Sequence, residues 1–209
     1  MEITKYGHSC LHVRDNDASI LIDPGTFSSG FETLTGLTAI LVTHVHADHL
    51  DPARIGALVA ANPDAAVHAD AAAAEEMTKA GVTASVATAG QVYDVGTRVQ
   101  AFGEQHAVIH SDLPQFGNVG FLIGGRLFHP GDALTVPDQE VEILAVPAMA
   151  PWMAIKEAID YQRAVAPKVS IPIHEALLRN TDMYYTRLEN MGPNGLRWLN
   201  LDDGTTQLL

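Results

Sequence analysis

The segment Ala39-Ile40-Leu41-Val42 is apolar at every position, which suits a strand covered on both faces and therefore central in a sheet. It runs without a spacer into Thr43-His44-Val45-His46-Ala47-Asp48-His49-Leu50. Asp51 and Pro52 follow, a good N-cap and a good first helical residue, so a helix is predicted from there to about Ala61. A buried strand, a polar loop and a helix in immediate succession point to a layered α/β architecture.

The rest of the chain repeats this alternation. Short strands are predicted at Ile3 to Tyr6, Ser9 to Arg14 and Ser19 to Ile22, the last closing on Asp23-Pro24-Gly25. A strand at Ala66 to His68 leads to a helix capped by Asp70 and stopped at Gly81. Strands are expected at Ser85 to Ala87, Gln91 to Asp94 and Arg98 to Phe102, and a hairpin turns on Gly124-Gly125. Beyond a strand at Glu142 to Val146, helices are expected over 154 to 165 and 182 to 191, with strands at 169 to 173 and 196 to 201. Strands in runs with helices between some of them, in both halves, imply two packed sheets with helices outside.

At 209 residues such a chain can bury roughly 70% of the surface its unfolded form exposes, so no metal or disulfide is needed to hold one domain over residues 1 to 209 together. The single cysteine, Cys10, forms no internal disulfide and reads as a small buried hydrophobe. Twelve Lys and Arg against 25 Asp and Glu leave a net charge of −13, which argues against nucleic acid and anionic membranes as partners. No basic, apolar leader opens the chain and no run approaches a membrane span, so the expected location is the cytoplasm. A small-molecule substrate is the expected partner, and a homo-oligomer is compatible with the composition.

The chemistry concentrates in His44-x-His46-x-Asp48-His49. Alternation sends His44 and His46 to one side, as two ligands of one ion require, while Asp48 and His49 turn toward the helix and a neighbouring ion. One loop can therefore feed two metals, but four ligands do not close two sites.

This run resembles the signature of the metallo-β-lactamase superfamily, and the likeness extends over nearly the whole chain. Its further landmarks are Tyr6-Gly7-His8-Ser9-Cys10, Leu21-Ile22-Asp23-Pro24-Gly25, a mid-chain His, Phe128-His129-Pro130-Gly131-Asp132 and Ser170-Ile171-Pro172-Ile173-His174. The chain looks most like the small intracellular branch that includes the ascorbate-6-phosphate lactonase type. The resemblance implies an α/β fold, a four-layer αβ/βα sandwich with the metal site at one edge. It assigns His44, His46 and His106 to one ion and Asp48, His49 and His174 to the other, with Asp132 bridging them. Two divalent ions are implied, Zn by default from the imidazoles, with Mn or Fe also suited to the donors.

Glu104 to His110 offers two histidines four apart, and His106, nearer the strand ending at Phe102, is taken as the ligand. His110 is then a candidate for substrate contact or proton transfer. Asp48 is the candidate to orient the attacking water and pass a proton to the leaving group. Asp23 is expected to hold the ligand loop from behind, and His8 to stand at the rim of the cleft. His12 and His68 read as structural, whereas His129, three residues before Asp132, is placed to help shape the site. Asp132 is followed by Ala133 where this family commonly has Thr, and Met149, Trp152 and Met153 replace a glycine-rich turn. Met149 and Trp152 are taken as an apolar wall for substrate.

The expected reaction is hydrolysis of a small cytosolic ester, either a phosphate ester or a lactone, by a hydroxide held between two ions. The alternatives are an iron-dependent dioxygenase resembling the sulfur dioxygenases of this superfamily and a non-catalytic metal-binding protein.

Overall fold

A computed structural model describes residues 1–209. Two seven-stranded sheets are stacked face to face and each is built in the same way. In the first, β1 (Glu2–Lys5), β2 (Leu11–Asp15) and β3 (Ala18–Ile22) form an antiparallel meander, which continues as parallel strands β4 (Ala39–Val42), β5 (Ala66–Ala69) and β6 (Ser85–Val86). In the second, β7 (Val92–Asp94), β8 (Arg98–Phe102), β9 (Gly120–Ile123) and β10 (Leu127–His129) are antiparallel. They continue as parallel strands β11 (Ile143–Pro147), β12 (Val169–Ile173) and β13 (Arg197–Trp198). A last strand, β14 (Gln207–Leu208), returns to pair antiparallel with β1.

Parallel neighbours need crossovers, and helices supply them. Helices α1 (Ile55–Ala61) and α2 (Ala71–Lys79) link β4, β5 and β6, while α3 (Ile155–Val165) and α4 (Asp182–Met191) link β11, β12 and β13. Ile3, Val13, Ile22, Leu41, Phe121, Ile143 and Ile171 fill the space between the sheets. Leu21, Ile40, Val42, Leu58 and Met77 join the first sheet to α1 and α2, and Leu144, Val146, Ala158, Tyr161 and Leu188 join the second to α3 and α4. The layers therefore run helix, sheet, sheet, helix, the four-layer sandwich expected. No helix is long and apolar enough to cross a membrane.

Three local readings are corrected. The helix after the His-rich loop begins at Ile55, because Asp51 caps a turn instead: its carboxylate accepts from the Ala53 N–H at 2.8 Å and holds the Arg54 guanidinium at 2.5 Å. The strand expected over 196 to 201 is paired only at Arg197 and Trp198, where it lies against β12 at the sheet edge. The strand at 207 to 208 was not expected, since it exists only through its pairing with the other end of the chain.

Candidate metal centre

The C-terminal end of β4 delivers the loop carrying His44, His46, Asp48 and His49, and β10 and β12 end just before Asp132 and His174. His106 follows β8. All of these side chains meet at one rim of the sandwich, consistent with ligand sites lying beyond the carboxyl ends of strands in α/β sheets. Two glycines permit the close approach. A Cβ on Gly25 would lie 1.8 Å from the Asp48 carbonyl oxygen, and Gly131, at φ +63, would strike Asn118 and Thr43.

Three groups of donors lie close enough to share an ion: His44, His46 and His106; His44, His49 and Asp132; and His8, Asp48, His49 and His174. Asp132 stands among them, with Oδ1 3.1 Å from His49 Nε2, and Oδ2 3.1 Å from His174 Nε2 and 3.5 Å from His106 Nε2. Asp48 Oδ2 is 3.4 Å from His174 Nε2 and 3.7 Å from His49 Nε2.

The outer nitrogens of the rings are already engaged. His49 Nδ1 donates to Asp23 Oδ2 at 2.7 Å, His106 Nδ1 to the Ala107 carbonyl at 2.5 Å and His174 Nδ1 to the Met149 carbonyl at 2.6 Å. His44 Nδ1 faces Thr43 Oγ1 at 3.0 Å. Each ring is thereby turned with Nε2 inward, the arrangement in which an imidazole presents a lone pair to a metal. His44 Nε2 meets His46 Nδ1 at 3.1 Å, whereas Nε2 of His49, His106 and His174 and Oδ1 of Asp132 are buried without a hydrogen-bond partner. Buried polar atoms are seldom orphaned, and four of them gathered around the Asp132 carboxylate fit cation binding.

Electrostatics agree. Burial opposes charge on Asp132, but His49, His106 and His174 outweigh it and hold the carboxyl well below its usual range. Burial likewise disfavours a charged His174, yet the close carboxylates of Asp132 and Asp48 raise it to about 9, and His49 is raised by Asp132 and Asp23 in the same way. In the metal-free protein, protons on these rings answer the carboxylates' charge. His44, buried among other imidazoles, is pushed well down and stays neutral.

Asp23 is fully buried and its carboxylate accepts from both the backbone N–H and the hydroxyl of Thr43 at 2.8 Å, as well as from His49. His8 is also fully buried, with its ring between Phe27 and His174. Its Nδ1 accepts from the Ala176 N–H at 3.3 Å, so Nε2 carries the proton and donates to Asp48 Oδ2 at 3.1 Å. In this tautomer His8 supports Asp48 as a donor. His129, fully buried, donates from Nε2 to the Ser9 carbonyl and accepts from the Gly131 N–H at the turn before Asp132.

His110 is not brought to the cluster: its side chain is 64% exposed and its Nδ1 accepts from the Asp112 N–H. Met149 meets the site through its backbone carbonyl, and Trp152 through its indole N–H, which donates to Asp132 Oδ2 at 2.9 Å. The sequence reading missed Thr43, whose position just before His44 was the available signal. It also missed Glu175, which accepts from the His8 N–H at 2.9 Å and pairs with the buried ammonium of Lys5 at 2.6 Å. No local pattern marks a lysine in the first strand as its partner.

Residues 2 to 174 match the family model of the beta-lactamase superfamily domain. The chain belongs to that superfamily, as a metal-dependent hydrolase with the metallo-β-lactamase fold. It is 44% identical over 198 residues to the protein Rv0786c of Mycobacterium tuberculosis, covering 91% of this chain and 92% of that one. It is also 29% identical over 192 residues to a UPF0173 metal-dependent hydrolase of Methanocaldococcus jannaschii, covering 82% and 83% of the two chains. Among solved structures, a metallo hydrolase from the archaeon Ignicoccus hospitalis superposes with a TM-score of 0.71 at 18% identity, over 100% of this chain and 98% of that one. The metallo-beta-lactamase fold protein YhfI of Bacillus subtilis gives 0.70 at 15% identity, over 99% and 98%. These structural likenesses carry the fold.

Proposed function

We propose that the protein hydrolyses a small ester, either cyclic or a phosphate ester, at a dinuclear centre held by His44, His46, His106, Asp48, His49 and His174 and bridged by Asp132. The observation that carries this reading is a set of adjacent donor groups, drawn from both sheets and centred on Asp132, whose buried Nε2 and Oδ1 atoms lack hydrogen-bond partners. Bound divalent ions, with Zn favoured by five imidazoles, supply the Lewis acidity that brings a water's pKa toward neutrality and offsets charge developing on the substrate.

The chain's own residues do the rest. Asp23 and Thr43 fix the rings of His49 and His44, so these ligands reach the reaction without reorganising. Asp48 is the carboxylate most open to solvent at the centre, 23% exposed, and His8 pins one of its oxygens. It is therefore placed to orient a water and to carry a proton to the departing oxygen. Phe27, Val108, Leu113 and Leu177, between 46% and 65% exposed, stand on the loops flanking the ligands and favour a substrate with an apolar part. Arg54 is spent on Asp51, Glu32 and two carbonyls, and Lys5 is buried, so neither offers a free cation to a phosphate. A cytoplasmic setting and a small-molecule partner complete the proposal, in keeping with the charge of −13.

The test is metal analysis of protein purified without chelator, followed by turnover of a lactone panel and a generic phosphodiester by the Zn and Mn forms, with His46→Ala as the blank. Two ions per chain and turnover absent from the blank are expected. Equal turnover in the blank, or oxygen consumption with a thiol substrate by an iron form, would overturn the hydrolytic reading.

A further inference from the structure

Four nitrogen atoms surround the Asp132 carboxylate: Nε2 of His49, His106 and His174, and the indole Nε1 of Trp152, whose N–H donates to Oδ2. The three imidazole Nε2 atoms carry the lone pairs that ions would take. A ring whose Nε2 lone pair is given to an ion has no N–H at that atom to donate to Asp132. Trp152 differs in kind. An indole N–H is a donor only, with no lone pair to offer a metal, so its bond to Oδ2 at 2.9 Å survives metal loading. The next residue, Ala133, is buried and has no hydroxyl to take over the task.

The loop that carries Trp152 is itself tied to the centre. Met153 N–H closes a tight turn on the Ala150 carbonyl at 3.1 Å, and the Met149 carbonyl receives His174 Nδ1–H. The indole also meets the His106 ring edge to face, with centroids 5.8 Å apart. One short segment between β11 and α3 therefore touches Asp132, His174 and His106.

We propose that Trp152 is a positioning residue for Asp132, its indole N–H being the side-chain donor that holds the carboxylate in bridging orientation once the histidines are committed to ions. This rests on Asp132 being a metal ligand, and it assigns Trp152 a task beyond forming an apolar wall.

Trp152→Phe keeps an aromatic ring and removes the N–H. Titration of the metal-free variant with Zn against a chromophoric chelator should show the weaker ion held about 10- to 100-fold less tightly than in the wild type, the range for losing a hydrogen-bonded support of a ligand. The cobalt form should show an altered visible spectrum, a signature that packing alone would not move. The control is Trp198→Phe, on β13 away from the centre, which should titrate as the wild type does. The chain has two tryptophans, so Trp198→Phe also leaves Trp152 as the only indole emitter, and Co should quench it with the midpoint of the absorption titration. Unchanged affinity and spectrum in Trp152→Phe, or an unquenched Trp152 in the Trp198→Phe protein, would overturn the assignment. Should Trp152→Phe fail to fold, an unquenched Trp152 in the Trp198→Phe protein still overturns the assignment. Asp132→Asn separates the two levels: if it binds two ions as the wild type does, the bridging reading falls, whereas loss of metal there with none in Trp152→Phe removes only the role of Trp152.

Discussion

Asp23 and His49 form a fully buried pair, with Oδ2 2.7 Å from Nδ1, although they are 26 residues apart and lie on loops after different strands. Asp23 sits at φ +50, a left-handed conformation that a non-glycine residue adopts only when its surroundings hold it there. Its carboxylate has three donors, two from Thr43 and one from His49, so it sets both the ring of His49 and the start of the ligand loop.

Replacing Asp23 by Ala should therefore weaken metal binding about 10- to 100-fold. It should also cost about 1–3 kcal/mol of stability, because the buried Thr43 N–H is left without an acceptor. Chelator-competition titration and denaturant unfolding of the metal-free protein read the two effects separately.

Asp132→Ala should leave at most one tightly held ion. A carboxylate between two dications offsets their repulsion, and the residue's neighbours on both sides are candidate ligands. Metal analysis after dialysis checks this, and two ions at full occupancy would refute the bridge.

His106 and His110 should separate cleanly. His106 is buried beside His44 and His46, with ring centroids at 4.9 and 4.8 Å, whereas His110 faces solvent. His106→Ala is expected to lose metal and activity together, and His110→Ala to retain its metal, with any defect confined to rate. Metal loss in His110→Ala alone would reverse the assignment.

Metal uptake should release protons. In the metal-free protein burial disfavours charge on His174, but Asp132 and Asp48 raise its pKa from 6.5 to about 9. A raised folded pKa means that this contribution to metal-free stability is complete below about 6.5 and fades as pH rises through about 9. A Zn ion must displace that proton, so apparent affinity should climb across this interval and level off above it. Calorimetry at pH 7.5 in buffers of different ionisation enthalpy would measure the released protons, and identical heats in all buffers would contradict the prediction.

The parts legible in the sequence were those specified locally. Ala39 to Val42 is apolar throughout, and Val169 to Ile173 apolar but for Ser170, because parallel strands are covered on both faces, and Asp70 caps α2 with bonds to Ala72 and Ala73 that its position alone implies. The ligand loop was visible because four of its donors are neighbours in sequence. The Trp152 bond to Asp132 spans 20 residues and the Lys5 bond to Glu175 spans 170, and such partners are chosen by how the layers stack. Pairing of β14 with β1 is equally remote, and two residues carry too little pattern to announce a strand.

The candidate ligands come from both half-sandwiches, four from the loop after β4 and three from the segments after β8, β10 and β12. A nascent chain synthesised only as far as β6 owns the His-rich loop but not His106, Asp132 or His174. On the proposed metal-centre reading, metal capture is a late step in maturation, reached when the two halves have docked, and bound ions would act as a rivet across that seam. Stripping them should let the sandwich breathe along this edge first, with amide exchange quickening at the loops around residues 44–49 and 174–176 before it quickens in the core strands.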